Sequence, residues 1–236
     1  MTGQTWLGRF QVDQEVHDGH VLAHDLVLRR KVEIWLWKMR HPTDTGSIHK
    51  MLGDYAKLQH QALATVLAHG NADGHAWVVV PHMPGGSLTE RLGAGKLDVR
   101  EAMAVVERLA VALDYIHSRG AIHGELHPQV VQFDEAGAAH LCFLEFHKFM
   151  GFAMDTAWLM PPDYLDYRSP EYGSDDADAR SDVYSLGGIL FAMLTGLSPK
   201  GYVPGGKKGD TPTPSAPAVE ARGELSLGVR GVIDRA

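Results

Sequence analysis

Apolar and polar residues alternate along the first forty positions with the two-residue period of β-strands. This pattern predicts strands over 10–16 and 21–28. They are joined at Asp18-Gly19, a pair of residue types that favours the backbone angles of a tight hairpin turn. A third, strongly apolar strand is predicted over 32–38. The chain therefore begins with an antiparallel meander.

The stretch from 47 to 58 changes to a helical period, with apolar residues three and four positions apart and Ser47 as the expected N-terminal cap. A second hairpin follows, and its turn is predicted at Asp73-Gly74. Together these elements predict an N-terminal half made of a five-stranded antiparallel sheet and one helix.

The second half of the chain is mainly helical in pattern. Asp98-x-x-Glu101 resembles a capping box, and the amphipathic helix that it starts is expected to stop at Gly120. Residues 181–194 are apolar on nearly every side, which predicts a buried helix. Short strands are expected between these two helices.

The order of the elements predicts an α+β fold of two lobes, with an N-lobe over 1–82 and a C-lobe over 83–236. Residues 197–218 are rich in Gly and Pro and are predicted to form a mobile loop. The last eight residues begin a helix that the chain end interrupts, so we expect the C-lobe to be truncated.

The predicted strand "VEIWLWK" contains an unusual pair of residues. Glu33 and Trp35 are two positions apart, so the strand directs a carboxylate and an indole to the same face. Periodicity alone gives no reason for this arrangement.

Charge and cysteine content narrow the choice of partner and compartment. The net charge of −7 argues against a nucleic acid or an anionic membrane surface as the partner. Cys142 is the single cysteine, so no internal disulfide is possible and a cytoplasmic location is expected. No secretory signal is visible, and the longest apolar helix is too short to span a bilayer.

The 14 histidines are scattered along the chain. His123 and His127 in "HGELH" are the closest approach to a metal-binding pair, but such a pair normally needs a helix and further ligands. We therefore expect no metal and no cofactor.

Five segments match a known family in order and in approximate spacing. They are "LVLRRKVEIW", "MPGGSL", "LDYIHSRGAIHGELHP", "RSPEY" and "RSDVYSLGGILFAMLTG". On these segments the chain resembles a bacterial Ser/Thr protein kinase domain over nearly its whole length. The resemblance implies the two-lobed kinase fold, whereas the activity depends on particular side chains.

The resemblance also locates the groups that phosphoryl transfer requires. The family uses a glycine-rich lid, a lysine paired with a glutamate, a catalytic aspartate, and an asparagine and an aspartate that hold magnesium. The first hairpin is too short for the lid, and its tip contains the acidic Asp18. The side-chain positions are occupied, in that order, by Trp35, Met51, Glu125, Val130 and Phe143.

The resemblance implies a nucleotide pocket that its own side chains obstruct. Glu33 takes the place of an alanine that lies against adenine, and Trp35 is expected to fill the space of the lysine. Gln132 replaces an aliphatic residue that packs on adenine from below. Backbone groups at Pro81 and Met83 correspond to the segment that holds adenine, but Glu33 and Trp35 oppose binding there.

Three positions are expected to retain structural roles. His123 is expected to pack in the core, and Asp182 to hold the catalytic loop through backbone amides. Glu171 corresponds to a glutamate that the family pairs with a later arginine, which would lie beyond Ala236. Either Glu171 has another partner or the chain is a fragment of a longer protein, and the interrupted helix favours the fragment. Similar bacterial domains often form the cytoplasmic part of larger regulators, so the resemblance implies that this chain is the cytoplasmic domain of a larger protein.

The segment 146–167 corresponds to the activation loop and is unusually apolar. Two interpretations remain open: the side chains form a surface for another protein, or they fold inward. The candidate interface consists of Phe149, Met150, Phe152, Met154, Trp158, Leu159 and Met160.

The sequence therefore suggests a pseudokinase, a kinase-like domain without catalysis that acts as a scaffold or allosteric module. The expected partner is another protein: an active kinase, a phosphopeptide-reading domain or a second copy. Two alternatives stay open, namely a nucleotide sensor without turnover and an atypical phosphotransferase that uses Glu125 or Glu145.

Overall fold

The computed structural model describes residues 3–17, 19–39, 45–72, 74–143, 163–171 and 178–199. The chain divides into two compact units. Described residues up to Pro84 belong to the first unit and those from Gly85 onward belong to the second, two residues from the predicted boundary. Most of the predicted mobile loop at 197–218 lies outside the described residues.

The first unit is built on one antiparallel sheet of six strands in the order β1-β2-β3-β4-β6-β5. The helix α1, Thr45–Ala56, lies between β4 and β5 in the chain and packs on β5. The strands are β1 Thr5–Trp6, β2 Phe10–His17, β3 His20–Asp25, β4 Arg30–Lys38, β5 Ala68–Ala72 and β6 His75–Pro81.

The sheet has one strand more than the five that the sequence predicted. The extra strand β1 arises because Leu7 and Gly8 adopt φ angles of 49° and 65°, which turn the chain back onto β2. Trp6 then packs edge-on against Trp77, with ring centroids 5.2 Å apart. A strand of two residues is too short to produce an alternating pattern, so the sequence could not reveal it.

The start of α1 also differs from the prediction. The helix begins at Thr45, so Ser47 lies inside its first turn and is not the N-terminal cap. Of the predicted apolar face, Ile48 and Leu52 are buried.

Strand β4 separates two environments by simple alternation. Its even-numbered residues Val32 and Ile34 are buried in the apolar core of the first unit, which also contains Phe10, Ala23 and Val79. Its odd-numbered residues Glu33 and Trp35 therefore face the opposite side of the sheet, as the two-residue period requires. This alternation brings Glu33 and Trp35 together on one side of the sheet.

The second unit consists of three described helices with two short strands. The helices are α2 Leu88–Gly93, α3 Val99–His117 and α4 Ala179–Thr195, and the strands are β7 Val131–Phe133 and β8 Ala139–Leu141. Two 3₁₀ turns, Pro128–Val130 and Tyr164–Tyr167, complete the described elements. Both α4 and β8 pack against α3.

Capping residues fix the ends of these helices. The Asp98 side chain accepts a hydrogen bond from the Glu101 backbone, which is half of the predicted box, and α3 ends at His117, just before Gly120. A complete capping box, which the sequence analysis missed, links Ser87 and Glu90 at the start of α2. None of the described helices has the length and apolar character needed to cross a bilayer.

Candidate functional site

The carboxylate of Glu33 is buried and engaged on both oxygens. One oxygen accepts a hydrogen bond from the Met83 backbone N–H at 3.0 Å and lies 2.9 Å from Nδ1 of His82. The other oxygen lies 3.0 Å from Nε2 of His20. Glu33 is only 6% exposed, so water contributes little to its solvation and these three groups replace it.

The protonation state of Glu33 follows from this environment. Burial acts to raise the pKa, but the hydrogen bonds from His20, from the Met83 backbone and from His82 outweigh it, so the pKa of Glu33 lies below its ordinary value. The side chain is therefore an ionised carboxylate at neutral pH.

Trp35 is connected to Glu33 through the same histidine. Its indole stacks on the His20 imidazole with ring centroids 3.6 Å apart and an angle of 6° between the planes. Trp35 is 4% exposed. Because His20 lies directly opposite Trp35 in the register of β3 and β4, one imidazole can contact the indole and the carboxylate together.

The segment after β6 contributes a backbone group to this cluster. In the resemblance stated above, Pro81 and Met83 correspond to the backbone that holds adenine. The structure directs the Met83 N–H to Glu33. Sequence analysis identified Glu33 but missed His20 and His82, since their role depends on strand register and on a contact 49 residues apart in the chain.

Glu125, in the second unit, is buried and paired with an arginine. Its two carboxylate oxygens accept separate hydrogen bonds from the Arg168 guanidinium, one of them at 3.2 Å. The guanidinium also lies 4.7 Å from the ring centroid of Tyr164. This bidentate pair joins the "HGELH" loop to the segment that begins at Asp163.

Arg168 was missed by the sequence analysis, which used "RSPEY" only for its Pro-Glu. A partial signal was available, because Glu125 stands next to the apolar Leu126 and a carboxylate that becomes buried normally has a cation or several hydrogen-bond donors beside it. The sequence does not indicate which arginine provides that charge.

Asp182 connects three parts of the second unit. It accepts hydrogen bonds from the backbone N–H groups of His123 at 2.7 Å and Gly124 at 2.8 Å, and from Nε2 of His117 at 2.8 Å. Burial acts to raise the pKa of Asp182, but these donors and the nearby His123 keep it below its ordinary value. The aspartate, on α4, thus holds the loop that follows α3.

His123 is fully buried and bonded through both ring nitrogens. Its Nδ1 accepts a hydrogen bond from the Glu125 backbone N–H at 3.3 Å, and its Nε2 lies 3.0 Å from the Cys142 carbonyl oxygen. This pattern matches the neutral tautomer with its proton on Nε2.

His127, the other member of the possible metal pair, is also buried. Burial is the main cause that lowers its pKa to about 3, and the Arg168 cation adds to it, so His127 is neutral at physiological pH. Within the part of the chain that the structure describes, no three His, Cys, Asp or Glu side chains are grouped so that they could hold a metal ion.

The positions that correspond to magnesium ligands are apolar. Val130 is fully buried, and Phe143 is 5% exposed with a left-handed φ of 61°. Gln132, on β7, donates from Nε2 to the Gln129 carbonyl at 2.9 Å. Met51, on α1, is half-buried. Val130 and Phe143 offer no side-chain oxygen for magnesium, and Met51 offers no carboxylate to pair with a lysine.

Other predicted residues are exposed or lie outside the described ranges. Glu171 is exposed and is within the described part of the chain. Glu145 and the seven members of the candidate interface, Phe149, Met150, Phe152, Met154, Trp158, Leu159 and Met160, lie outside the described residues.

Comparison with known proteins decides the family. The sequence model named protein kinase domain matches residues 44–208, well over half of the chain. The chain belongs to the protein kinase family. It is 24% identical over 208 residues to the serine/threonine-protein kinase PrkC of Bacillus subtilis, an alignment that covers 84% of this chain and 32% of PrkC. The same comparison gives 28% identity over 197 residues to PknB of Mycobacterium leprae, covering 78% of this chain and 31% of PknB.

Solved structures agree with this family assignment at the level of the fold. A crystal structure of the Mycobacterium tuberculosis PknI kinase domain superposes with a TM-score of 0.66 at 20% identity, covering 100% of this chain and 91% of that one. The predicted kinase-like α+β fold is therefore confirmed. The chain spans about a third of the length of the two curated kinases named above.

Proposed function

We propose that this kinase domain is a pseudokinase, a protein-binding regulatory module that neither binds magnesium-ATP nor transfers phosphate. One observation carries the proposal. The Met83 N–H, which belongs to the segment that holds adenine in the family, is hydrogen-bonded at 3.0 Å to the Glu33 carboxylate of the same domain. The protein thus uses an internal anion where a kinase would use the nucleotide base.

Energetics favour this internal contact over adenine. A hydrogen bond to a charged group contributes about 1.5–3 kcal/mol, against about 0.5–1.5 kcal/mol for a neutral one. Adenine would replace a charged acceptor with a neutral one at Met83. His20 and His82 hold the Glu33 carboxylate in place, so adenine at Met83 would lie beside a buried negative charge. Moving the carboxylate away would instead break its contacts with both histidines.

The positions that correspond to the phosphate and magnesium contacts of the family lack the groups that would compensate for this cost. Trp35 provides no cation for the α- and β-phosphates, and Val130 and Phe143 provide no oxygen for magnesium. Loss of one preorganised electrostatic group typically reduces the rate by about 10²–10³. Several such groups are replaced together, so the standard route offers no useful turnover.

Glu125 is poorly suited to serve as a replacement base. It is 2% exposed, and both of its oxygens are occupied by Arg168. A base must present a free oxygen within hydrogen-bond reach of the substrate hydroxyl. Proton acceptance by Glu125 would first require the ion pair to separate inside the protein.

A role in protein binding is consistent with what the domain keeps. The hydrogen bonds of Asp182 preserve the loop scaffold of the second unit, although the catalytic positions on it have changed. The apolar segment 146–167 remains our candidate surface, and the partner we propose is an active kinase, a phosphopeptide-reading domain or a second copy.

Two alternative functions remain proposals because the curated relatives carry the names of kinases. One is a nucleotide sensor without turnover, and the other is an atypical phosphotransferase that recruits Glu125 or Glu145. Both alternatives bind nucleotide, so they differ from the proposed module in one measurable respect, which is stabilisation of the domain by nucleotide.

The test is a thermal-shift titration with ATP, with and without Mg²⁺ or Mn²⁺, combined with an assay for transfer of labelled γ-phosphate. The wild-type domain is expected to show no shift and no transfer. The double variant Glu33→Ala/Trp35→Lys restores the tetrapeptide VAIK of the family and is expected to gain a shift that does not depend on metal.

The matched control is Glu15→Ala, which removes an exposed carboxylate from the same sheet and is expected to behave as wild type. A metal-independent shift of the wild type would favour the sensor. A metal-dependent shift with phosphate transfer, lost in Glu125→Gln, would replace the proposal by the enzyme. If the double variant shows no thermal shift with ATP, Glu33 and Trp35 are not the residues that prevent nucleotide binding.

A further inference from the structure

Two neighbouring turns at one end of the sheet expose a cluster of aliphatic side chains, here called the turn-tip patch. Its members are Leu7 from the turn between β1 and β2, and Leu26, Val27 and Leu28 from the turn between β3 and β4. They are 50%, 46%, 69% and 45% exposed, in that order. Single exposed aliphatic residues are common, but three consecutive ones at a turn are not explained by the core of the sheet.

The two turns are tied together by polar contacts beneath the patch. The Arg9 guanidinium donates to both oxygens of Asp25, at 3.0 and 2.7 Å, and the Leu26 N–H donates to the Arg9 carbonyl at 3.0 Å. The Asp25 side chain also accepts from the backbone N–H groups of Val27 at 2.9 Å and Leu28 at 3.1 Å. The turn is therefore preorganised in a form that holds its aliphatic side chains in solvent.

The charge next to the patch is opposite to that of the whole chain. Arg29, Arg30 and Lys31 follow the aliphatic run directly and are exposed. Asp25 is the only acidic residue between positions 19 and 32, and its side chain is buried and paired with Arg9. The net charge of −7 is an average over 236 residues, and it conceals a basic collar around this tip.

We propose that the turn-tip patch is a peripheral docking site for an anionic lipid surface. Aliphatic side chains at a tip can enter the boundary between headgroups and acyl chains, and a collar of Arg and Lys is attracted to anionic headgroups. The patch presents aliphatic groups at its apex and positive charge behind them, which is the order of apolar and charged layers in such a membrane. An acidic protein surface matches the collar but gives no reason for three aliphatic side chains at the apex.

This docking is peripheral and does not require a spanning helix. It is also independent of the proposed loss of nucleotide binding, because the residues of the patch do not contact Glu33, Trp35 or Glu125 in any interaction described above. Failure of one proposal therefore leaves the other intact.

The test is cosedimentation of the purified domain with vesicles of phosphatidylcholine and phosphatidylglycerol at a 7:3 ratio, and with pure phosphatidylcholine vesicles, at low and high salt. Binding to the anionic vesicles is expected, with loss at high salt. Each basic residue near an anionic membrane contributes on the order of a fivefold change in partitioning. The variant Arg30→Ala/Lys31→Ala is accordingly expected to weaken binding by about 25-fold, and Val27→Asp to abolish it.

Two controls match these changes elsewhere on the protein. Val111→Asp places a charge at a similarly exposed aliphatic position on α3, and Arg100→Ala removes an exposed charge there. Both are expected to bind as wild type. The proposal is overturned if wild type does not bind anionic vesicles, if it binds neutral vesicles equally well, or if the controls lose binding in parallel. Binding to poly-glutamate in place of vesicles would also overturn it, in favour of an acidic protein partner.

Discussion

The burial of Asp163 predicts an unusual pH dependence of stability. This residue is 2% exposed, one of its oxygens accepts from the Tyr167 hydroxyl at 3.3 Å, and the other has no hydrogen-bond partner among the described residues. Burial, reinforced by the charge of Asp166, raises the pKa of Asp163 from 3.8 to about 6. The native state therefore binds this proton more tightly than the unfolded state does.

The sign and size of the effect follow from linkage. The contribution of a raised pKa is fully present below pH 3.8 and is lost as the pH rises through 6, so the ionised carboxylate costs the native state about 3 kcal/mol at pH 7.5. Asn at position 163 cannot ionise. The stability of Asp163→Asn relative to wild type is thus expected to increase by about 1–2 kcal/mol between pH 5 and pH 7.5.

The measurement is urea unfolding of both proteins at pH 5, 6 and 7.5, with the slope m compared to verify that the unfolded states are alike. The control is Asp114→Asn, an exposed aspartate of α3. A relative stability of Asp163→Asn that stays constant over this range, or that falls with rising pH, would show that the native pKa of Asp163 is not raised. The asparagine amide can also change the free energy of unfolding by the same amount at every pH. Such a constant difference does not bear on the prediction, which concerns only the dependence on pH.

Two further predictions concern packing and charge. Arg168→Met leaves the buried carboxylate of Glu125 without its arginine and is expected to lower the free energy of unfolding in urea by about 3–5 kcal/mol. Adding Glu125→Gln removes the unpaired charge and is expected to recover much of this loss. Gly70→Ala would place a Cβ 2.6 Å from the indole ring of Trp77 and is expected to cost about 1–3 kcal/mol. Additive losses in the first case, or unchanged stability in the second, would contradict these contacts.

The sequence was informative where the physics is local. Alternation in "VEIWLWK" predicted that Glu33 and Trp35 share a face, and their common contact with His20 follows from that geometry. The five family segments predicted the fold, because they occur in the family's order and approximate spacing. The short strand β1 was missed since two residues have no measurable period.

The sequence was less informative where a side chain depends on a distant partner. His82 lies 49 positions from Glu33, and Arg168 lies 43 positions from Glu125. Many histidines and arginines in the chain could have met those carboxylates equally well by charge alone. The choice is made by the register of strands and by the path of loops, which composition does not encode.

The internal hydrogen bond from Met83 to Glu33 also bears on how this face of the sheet could be re-engineered. Trp35→Lys alone would introduce a lysine beside a carboxylate already held by two imidazoles, and Glu33→Ala alone would leave the indole in place. Because both side chains contact His20, the effect of one substitution depends on the residue at the other position. Glu33, His20 and Trp35 therefore behave as one unit, and an engineered site on this face has to change them together.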